Sequence, residues 1–221
     1  SKITKVPMVK LAINIMFSKS LKSQGYGSGL LPKSNLVAVK APVFSFQKLT
    51  DVDIALNAEM KSTGEVLGID NCYEKALIKA FMASGTPFVE KGKVLVSIRK
   101  KDLEESIPVV KKLQSLGFTV IAGDCNKKFY DEAGVNVDLI DKSNTAEIAR
   151  QIKSGEITMI FNLPEKDGNT NAPDFKLRKL SVVYKTPCFT CLDTIREYLK
   201  AWEYRLSNPE LDYKTIEEYI K

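Results

Sequence analysis

The sequence predicts an α/β protein whose larger, C-terminal part holds a doubly wound parallel sheet. Residues 94–98 form a run that is apolar except for Ser97, which is typical of a parallel strand buried on both faces. From there on, short apolar runs alternate with helical patterns, and Gly117, Gly134 and Gly155 follow the helical stretches as stop signals. Such alternation favours βαβ units, with right-handed crossovers that place helices on both faces of the sheet.

The first 85 residues predict shorter and less regular elements. They comprise a helix over 7–21, a Gly- and Ser-rich loop over 23–35, strands over 36–46 and 64–68, and a helix over 72–84. Pro42 lies within the first of these strands and limits its hydrogen-bond ladder, because proline has no backbone N–H. Asn71 is the predicted N-cap of the second helix, with Glu74 at the capping-box position.

The C-terminal part contains five predicted strands and six predicted helices. The strands cover 94–98, 118–122, 137–140, 159–163 and 188–190, and the helices cover 102–116, 126–133, 145–154, 173–184, 192–206 and 212–220. Open parallel sheets bind ligands beyond the carboxyl ends of their strands, at the point where the strand order reverses. The positions at the predicted strand ends are Ser97, residues 123–126, Lys142, Asn162 and Thr190.

Composition narrows the class of protein. The 221 residues suffice for one or two domains with a buried core, and 44% of them are hydrophobic. There is no apolar run of about 18 residues and no signal-peptide pattern, so neither a membrane span nor secretion is expected, and the expected location is cytoplasmic. The net charge of +6 is concentrated in the first 85 residues without interleaved aromatic side chains, so nucleic-acid binding is not expected.

Cys188 and Cys191 form a CxxC pair, which raises the possibilities of a redox pair or half of a zinc site. A structural zinc site needs two more ligands, and the chain has no histidine. The favoured interpretation is two reduced thiols in apolar surroundings, and no metal site is expected.

Two stretches of the first part carry a specific resemblance. They read Lys40-Ala-Pro-Val-Phe-Ser-Phe-Gln-Lys-Leu-Thr and Glu59-Met-Lys-Ser-Thr-Gly-Glu-Val-Leu-Gly-Ile-Asp70. The two stretches resemble the closing segment of the second ATP-grasp half of the carbamoyl-phosphate synthetase large subunit. Residues 86–221 resemble the allosteric domain of the same family, which has the methylglyoxal-synthase fold, and their best anchors are Glu132-Ala-Gly134 and Asn162-Leu-Pro164.

The resemblance implies a two-part chain that is a C-terminal fragment. Residues 1–85 would be the tail of the carbamoyl-phosphate-forming ATP-grasp domain, an α+β remnant, and residues 86–221 a methylglyoxal-synthase-like regulatory domain with a five-stranded sheet. In the family, the groups that bind ATP and Mg²⁺ or Mn²⁺ lie upstream, so this fragment is expected to hold no cofactor and no catalytic residue. The implied partners are the rest of the large subunit and the small glutaminase subunit, in pyrimidine and arginine biosynthesis.

The resemblance also implies an effector site for a nucleotide such as UMP or IMP, for PRPP, or for N-acetylglutamate. Ser97, Lys142 and Asn162 match the family's positions at three strand ends. Lys142 offers a cation to a phosphate, and Asn162 offers an amide to a ribose or base. The full predicted effector-binding set is Ser97, Gly123, Asn126, Lys127, Lys142, Asn162 and Thr190.

The phosphate loop departs from the family pattern. The Thr-x-x-Thr of bacterial members is Gly123-Asp-Cys-Asn126 here, so two hydroxyl donors are missing. Asp124 adds a negative charge where a phosphate would bind, although Lys127 and Lys128 offset part of it. A family threonine is replaced by Pro164 and a family lysine by Leu103, which removes two further donors.

Three other functions are considered, of which two are not expected and one remains an alternative. The glutamate of the family's ornithine site is Ala41 here, although its threonine is matched by Thr190, so ornithine control is not expected. A catalytic methylglyoxal synthase would need a histidine and a Gly-Thr-Thr-Gly loop, and the chain has neither. The remaining alternative is a structural or oligomerisation domain whose effector pocket has decayed.

Overall fold

A computed structural model describes residues 1–48, 52–165 and 171–219. Its strands are β1 Val37–Val43, β2 Gly64–Asp70, β3 Lys93–Ile98, β4 Thr119–Ala122, β5 Asp138–Leu139, β6 Ile157–Leu163 and β7 Cys188–Phe189. Its α-helices are α1 Met8–Met16, α2 Tyr73–Ala83, α3 Leu103–Ser115, α4 Asp124–Glu132, α5 Thr145–Lys153, α6 Pro173–Val183, α7 Leu192–Ser207 and α8 Ile216–Tyr219. The predicted helix over 212–220 is therefore shorter, and residue 220 lies outside the described residues.

The five C-terminal strands form a parallel sheet in the order β5-β4-β3-β6-β7, which confirms the predicted fold class. The chain starts in the centre at β3, builds outwards to β5, and then returns to the other side of β3 through β6. The direction of winding thus reverses between β3 and β6, which is where such sheets open a crevice at their carboxyl ends. Ser97 and Asn162 are register partners on these two strands.

Alternation of side chains along the strands fixes which face each polar residue occupies. Val94 and Val96 of β3 pack into the cluster that includes α3 and α7, whereas Leu95 packs into the cluster that includes α5 and α6. Because successive strand residues point to opposite faces, Ser97 continues the Leu95 face. Asn162 follows Ile160 onto that same face in the same way.

Most helix ends agree with the sequence prediction. Gly117 and Gly155 follow α3 and α5 with φ angles of 86° and 77°, in the left-handed region that glycine adopts without strain. The start of α4 differs from the prediction, because the helix begins at Asp124 rather than at Asn126, with Gly123 as its N-cap.

The predicted N-cap of α2 was wrong. Cys72 rather than Asn71 is the N-cap, and its side chain makes no capping hydrogen bond. The reason is that the Asp70 carboxylate already lies at the start of the helix, where its Oδ1 accepts from the amides of Asn71 and Cys72 at 2.8 and 3.4 Å. Asp70 itself is held by the Lys79 ammonium at 2.7 Å.

The first part of the chain is a small antiparallel pair of strands, β1 and β2, with α2 packed on it. In the described part of the chain β1 pairs with β2 alone, so Pro42 lies on an edge strand, where its missing N–H is tolerated. Leu11 is the one buried residue of helix α1. Met16, at the end of the helix, and Phe17, which follows it, are exposed.

An aromatic cluster joins the first part to the sheet domain. Tyr198 of α7 stacks on Phe88 at 5.0 Å between ring centroids and meets Phe81 of α2 edge-on at 5.5 Å. Its hydroxyl donates to the Pro87 carbonyl at 2.8 Å and accepts from the Val89 amide at 3.2 Å. Burial raises the pKa of Tyr198 to about 12. The segment around the predicted domain boundary at 85/86 is therefore packed against both parts.

Within the described ranges, no helix is both long and apolar enough to cross a membrane.

The four cysteines carry free thiols. Burial raises the pKa of Cys188 to about 12, which keeps its thiol protonated and unreactive at neutral pH. Among the described residues, no cluster of three or more His, Cys, Asp or Glu side chains has a geometry that could hold a metal ion.

Candidate functional site

Three polar side chains meet at the carboxyl ends of the parallel strands. The Lys142 ammonium donates to Ser97 Oγ at 2.7 Å and to Asp174 Oδ1 at 2.8 Å. Ser97 Oγ in turn donates to Asp174 Oδ1 at 2.7 Å. Ser97 is 3% exposed, whereas the side chains of Lys142 and Asp174 are 28% and 30% exposed, so the cluster is open to solvent on one side.

The absence of a side chain at Gly123 gives Lys142 its path to Ser97. A Cβ added at Gly123 would lie 3.0 to 3.1 Å from three carbons of the Lys142 side chain. The lysine chain therefore runs directly over the first turn of α4. Among the described residues no side chain caps this helix terminus, so its backbone amides and the Lys142 ammonium lie at the same place.

Asn126 lies in the first turn of α4 and clamps that helix to the end of β3. Its Nδ2 donates to the Ile98 carbonyl at 2.9 Å, and its Oδ1 accepts from the Ile98 amide at 2.7 Å. The amide group thereby fixes the helix terminus beside Ser97. Since its oxygen and its nitrogen both bind the Ile98 backbone, Asn126 holds the helix terminus in position.

Asn162 is fully buried next to this cluster, and its amide nitrogen donates no hydrogen bond to the described residues. Its Oδ1 accepts from Arg178 Nη1 at 2.7 Å, whereas its Nδ2 has no partner among the described residues. The guanidinium of Arg178 also forms a two-bond ion pair with Asp53, with both distances 2.6 Å. An unpaired buried amide is costly, so it marks a position where a further hydrogen-bond acceptor would be stabilising.

Comparison with known proteins bears on this site. Residues 105–190 match the family model described as an MGS-like domain. The chain is 42% identical over 201 residues to the carbamoyl phosphate synthase large chain of Caldanaerobacter subterraneus subsp. tengcongensis, covering 91% of this chain and 18% of that protein. It is 44% identical over 201 residues to the large chain of Thermoanaerobacter pseudethanolicus, with the same 91% and 18% coverage. It is 38% identical over 222 residues to that of Clostridium acetobutylicum, covering all of this chain and 21% of the relative.

The chain belongs to the carbamoyl phosphate synthase large-chain family. It corresponds to the C-terminal part of the large chain, and it spans about a fifth of the length of the curated relatives it matches, 18% to 21%. The MGS-like match includes Gly123, Lys142, Asn162 and Asp174, while Ser97 lies just before it.

Two members of the sequence-predicted set lie apart from the cluster in this large-chain segment. The Lys127 ammonium binds Asp131 at 2.9 Å and the Val137 carbonyl at 2.8 Å, next to the amino end of β5. Thr190 lines a different crevice, of about 640 Å³, together with Ala41 and the stacked rings of Phe44 and Phe46. The structure thus brings Ser97, Gly123, Asn126, Lys142 and Asn162 together and leaves Lys127 and Thr190 outside.

Two residues that contact the cluster at the strand ends were not predicted from the sequence, Asp174 and Arg178. Both lie in α6, one turn apart at i and i+4, and therefore on one face of that helix. Helices that follow parallel strands begin at the carboxyl edge of the sheet, so a polar side chain in the first turn after Pro173 was the available signal. Arg178 between the buried Leu177 and Ser181 was a second signal, because a buried arginine needs specific partners.

Proposed function

We propose that this MGS-like domain is the regulatory part of a carbamoyl phosphate synthase large chain and binds a phosphate-bearing effector of the nucleoside monophosphate type. The observation that carries the proposal is the convergence of Lys142 and Ser97 over the uncapped N-terminus of α4 at Gly123. A cation, a hydroxyl and helix amides at one place are the groups that bind a phosphate in proteins. The free Nδ2 donor of Asn162 at the neighbouring strand end suits a ribose or base oxygen.

In the structure, Asp174 accepts hydrogen bonds from the groups that a phosphate would use. Its Oδ1 accepts hydrogen bonds from both Lys142 and Ser97. A ligand phosphate must therefore displace this carboxylate before it reaches the two donors. The exchange of one anion for another lowers the net gain in binding free energy, so we expect weak effector binding.

The activity of the whole protein follows as part of the same proposal. Residues 1–85 would be the tail of an ATP-grasp domain, with the exposed apolar side chains of α1 directed at the rest of the large chain. Catalysis with ATP and Mg²⁺ or Mn²⁺ would reside upstream, and glutamine hydrolysis in a small glutaminase subunit. The chain would act in the cytoplasm, in pyrimidine or arginine biosynthesis, without synthetase activity of its own.

A structural or oligomerisation role is the second candidate. Two carboxylates favour it, because they lie where the phosphate of an effector would bind. Asp124 is the first residue of α4, and Asp174 pairs with Lys142. A domain that no longer binds an effector would retain its packing and could keep such charges without loss. Effector binding decides between the two candidates.

Lys142→Ala should abolish or strongly weaken the binding of a nucleoside monophosphate. A charge-assisted hydrogen bond contributes about 1.5–3 kcal/mol, so affinity should fall by about tenfold or more. Thermal-shift assays with UMP, IMP, PRPP and N-acetylglutamate identify a ligand, because binding to the native state alone raises Tm. Calorimetry then compares Lys142→Ala with Lys127→Ala, a matched lysine of the predicted set whose ammonium binds Asp131 and Val137 instead. Equal losses in the two variants, or no binding by the wild-type chain, would contradict the proposed site.

Asp124→Thr should strengthen binding of the same ligand. Removal of an exposed negative charge near the phosphate relieves a repulsion of about 1 kcal/mol or more, which predicts a gain in affinity of about fivefold or more. The gain should shrink as salt is added, because exposed charges are screened within about 8 Å at physiological ionic strength. Calorimetry at low and high salt measures both effects. An unchanged affinity at low salt would place the phosphate away from the α4 terminus.

A further inference from the structure

Arg178 forms a buried polar link between the candidate effector site and the first part of the chain. It is only 6% exposed, and its three guanidinium nitrogens are all engaged. Nη1 donates to Asn162 at the end of β6, at 2.7 Å. Nε and Nη2 donate to the two carboxylate oxygens of Asp53, which lies in the connection between β1 and β2.

Asp53 is in turn hydrogen-bonded within its own segment, residues 52–61. Asp53 Oδ1 also accepts from the Ala55 amide at 3.0 Å, and the Lys61 ammonium donates to the carbonyls of Asp53 and Ala55 at 2.8 and 2.7 Å. Burial alone would raise the pKa of Asp53, but its hydrogen bonds to Arg178 and Ala55 hold the pKa below its ordinary value. The carboxylate is thus charged at neutral pH, and segment 52–61 is anchored to the guanidinium.

The amide plane of Asn162 gives this link a response to ligand. Its Oδ1 is bound to Arg178, while its Nδ2 on the same rigid plane has no partner among the described residues. A ligand oxygen that accepts from Nδ2 therefore binds the same amide group that holds Arg178. Arg178 keeps its charge and has buried partners on both sides, so a change at Asn162 has a direct hydrogen-bonded route to Asp53.

We propose that Arg178 is a positioning residue that couples effector binding at the ends of β3 and β6 to segment 52–61 of the ATP-grasp-like part. This coupling rests on the proposed function, since it supplies the route from that same site. Another hydrogen bond joins the two parts, from the Tyr73 hydroxyl to Glu197 at 2.7 Å, but it lies on an exposed surface of α2 and α7. It therefore provides a matched control for the buried link.

The first arm of the test needs no ligand. Hydrogen exchange is measured by mass spectrometry on the wild-type chain, on Asp53→Asn and on Glu197→Gln. Loss of a charge-assisted ion pair to Arg178 predicts that exchange in 174–182 and 160–163 rises by about tenfold or more in Asp53→Asn. Glu197→Gln should leave both segments unchanged, and unchanged exchange in Asp53→Asn would overturn the coupling.

The second arm adds saturating UMP or IMP, with calorimetry on each variant to establish occupancy. In the wild-type chain, ligand should change the exchange of segment 52–61, and Glu197→Gln should behave in the same way. Asp53→Asn should bind the ligand but lose the response of segment 52–61. A response that persists in Asp53→Asn would overturn the role of Arg178. An absence of binding in the wild-type chain would instead overturn the proposed function, while the ligand-free arm still decides whether Asp53 and the strand end are coupled.

Discussion

Gly68→Ala should destabilise the chain by about 3 kcal/mol or more, the largest loss we expect from the addition of a single methyl group. Gly68 lies in β2, directly under α2. A Cβ at this position would lie 2.0 Å from the Ala76 carbonyl oxygen and 2.6 Å from the Ala80 amide nitrogen. Both contacts are with helix backbone, so relief requires that α2 moves away from the strand and loses its packing on the sheet.

Urea denaturation of Gly68→Ala and of Gly64→Ala measures this effect against a matched control. Gly64 begins the same strand, and a Cβ added there would meet nothing within 4 Å. The control should change the free energy of unfolding by less than about 1 kcal/mol, within the range of strand propensities. Similar stabilities for the two variants would show that α2 does not pack on β2 as closely as described.

Tyr198→Ala should have the second largest effect, because this ring is the centre of the contact between the two parts. Replacement of a buried aromatic ring by alanine costs about 3–5 kcal/mol. Here the rings of Phe81, Phe88 and Phe189 all lie within 5.5 Å of the Tyr198 centroid and would line the resulting cavity. Tyr198→Phe keeps the ring and should cost only about 1 kcal/mol for the two hydroxyl hydrogen bonds.

Urea denaturation of both variants separates the ring from the hydroxyl. If the two parts unfold together, Tyr198→Ala should lower the midpoint of a single transition. If the junction alone is weakened, two transitions should appear, with the first part unfolding before the sheet domain. Equal losses for Tyr198→Ala and Tyr198→Phe would contradict the importance of the ring packing.

The fold was predictable from sequence because its signals are local and strong. The apolar run at 94–98 reflects burial on both faces of a strand, and the glycines after α3 and α5 reflect helix termination. The cap of α2 was predicted incorrectly because it depends on a tertiary contact. The Asp70 carboxylate, held by Lys79, accepts from the amides of Asn71 and Cys72 just before the helix, and neither spacing nor propensity encodes that ion pair.

The candidate site was predictable only in part, for a related reason. Ser97, Lys142 and Asn162 occupy strand ends, and the strand order of a parallel sheet brings such positions together. The direction of a long side chain is set by its neighbours, so sequence did not reveal that Lys127 turns towards Val137. Arg178 was missed because its main partner, Asp53, lies 125 residues earlier in the chain.

A titration of the isotope-labelled wild-type chain with UMP, followed by amide NMR shifts, tests the central claim most directly. We expect saturable shifts that cluster at the carboxyl ends of the central strands and the first turn of α4, at residues 97–98, 123–127, 142–143 and 162–163. Smaller shifts should reach segment 52–61 through Arg178. An absence of saturable shifts, or shifts confined to the crevice lined by Ala41 and Thr190, would contradict a nucleotide site over the N-terminus of α4.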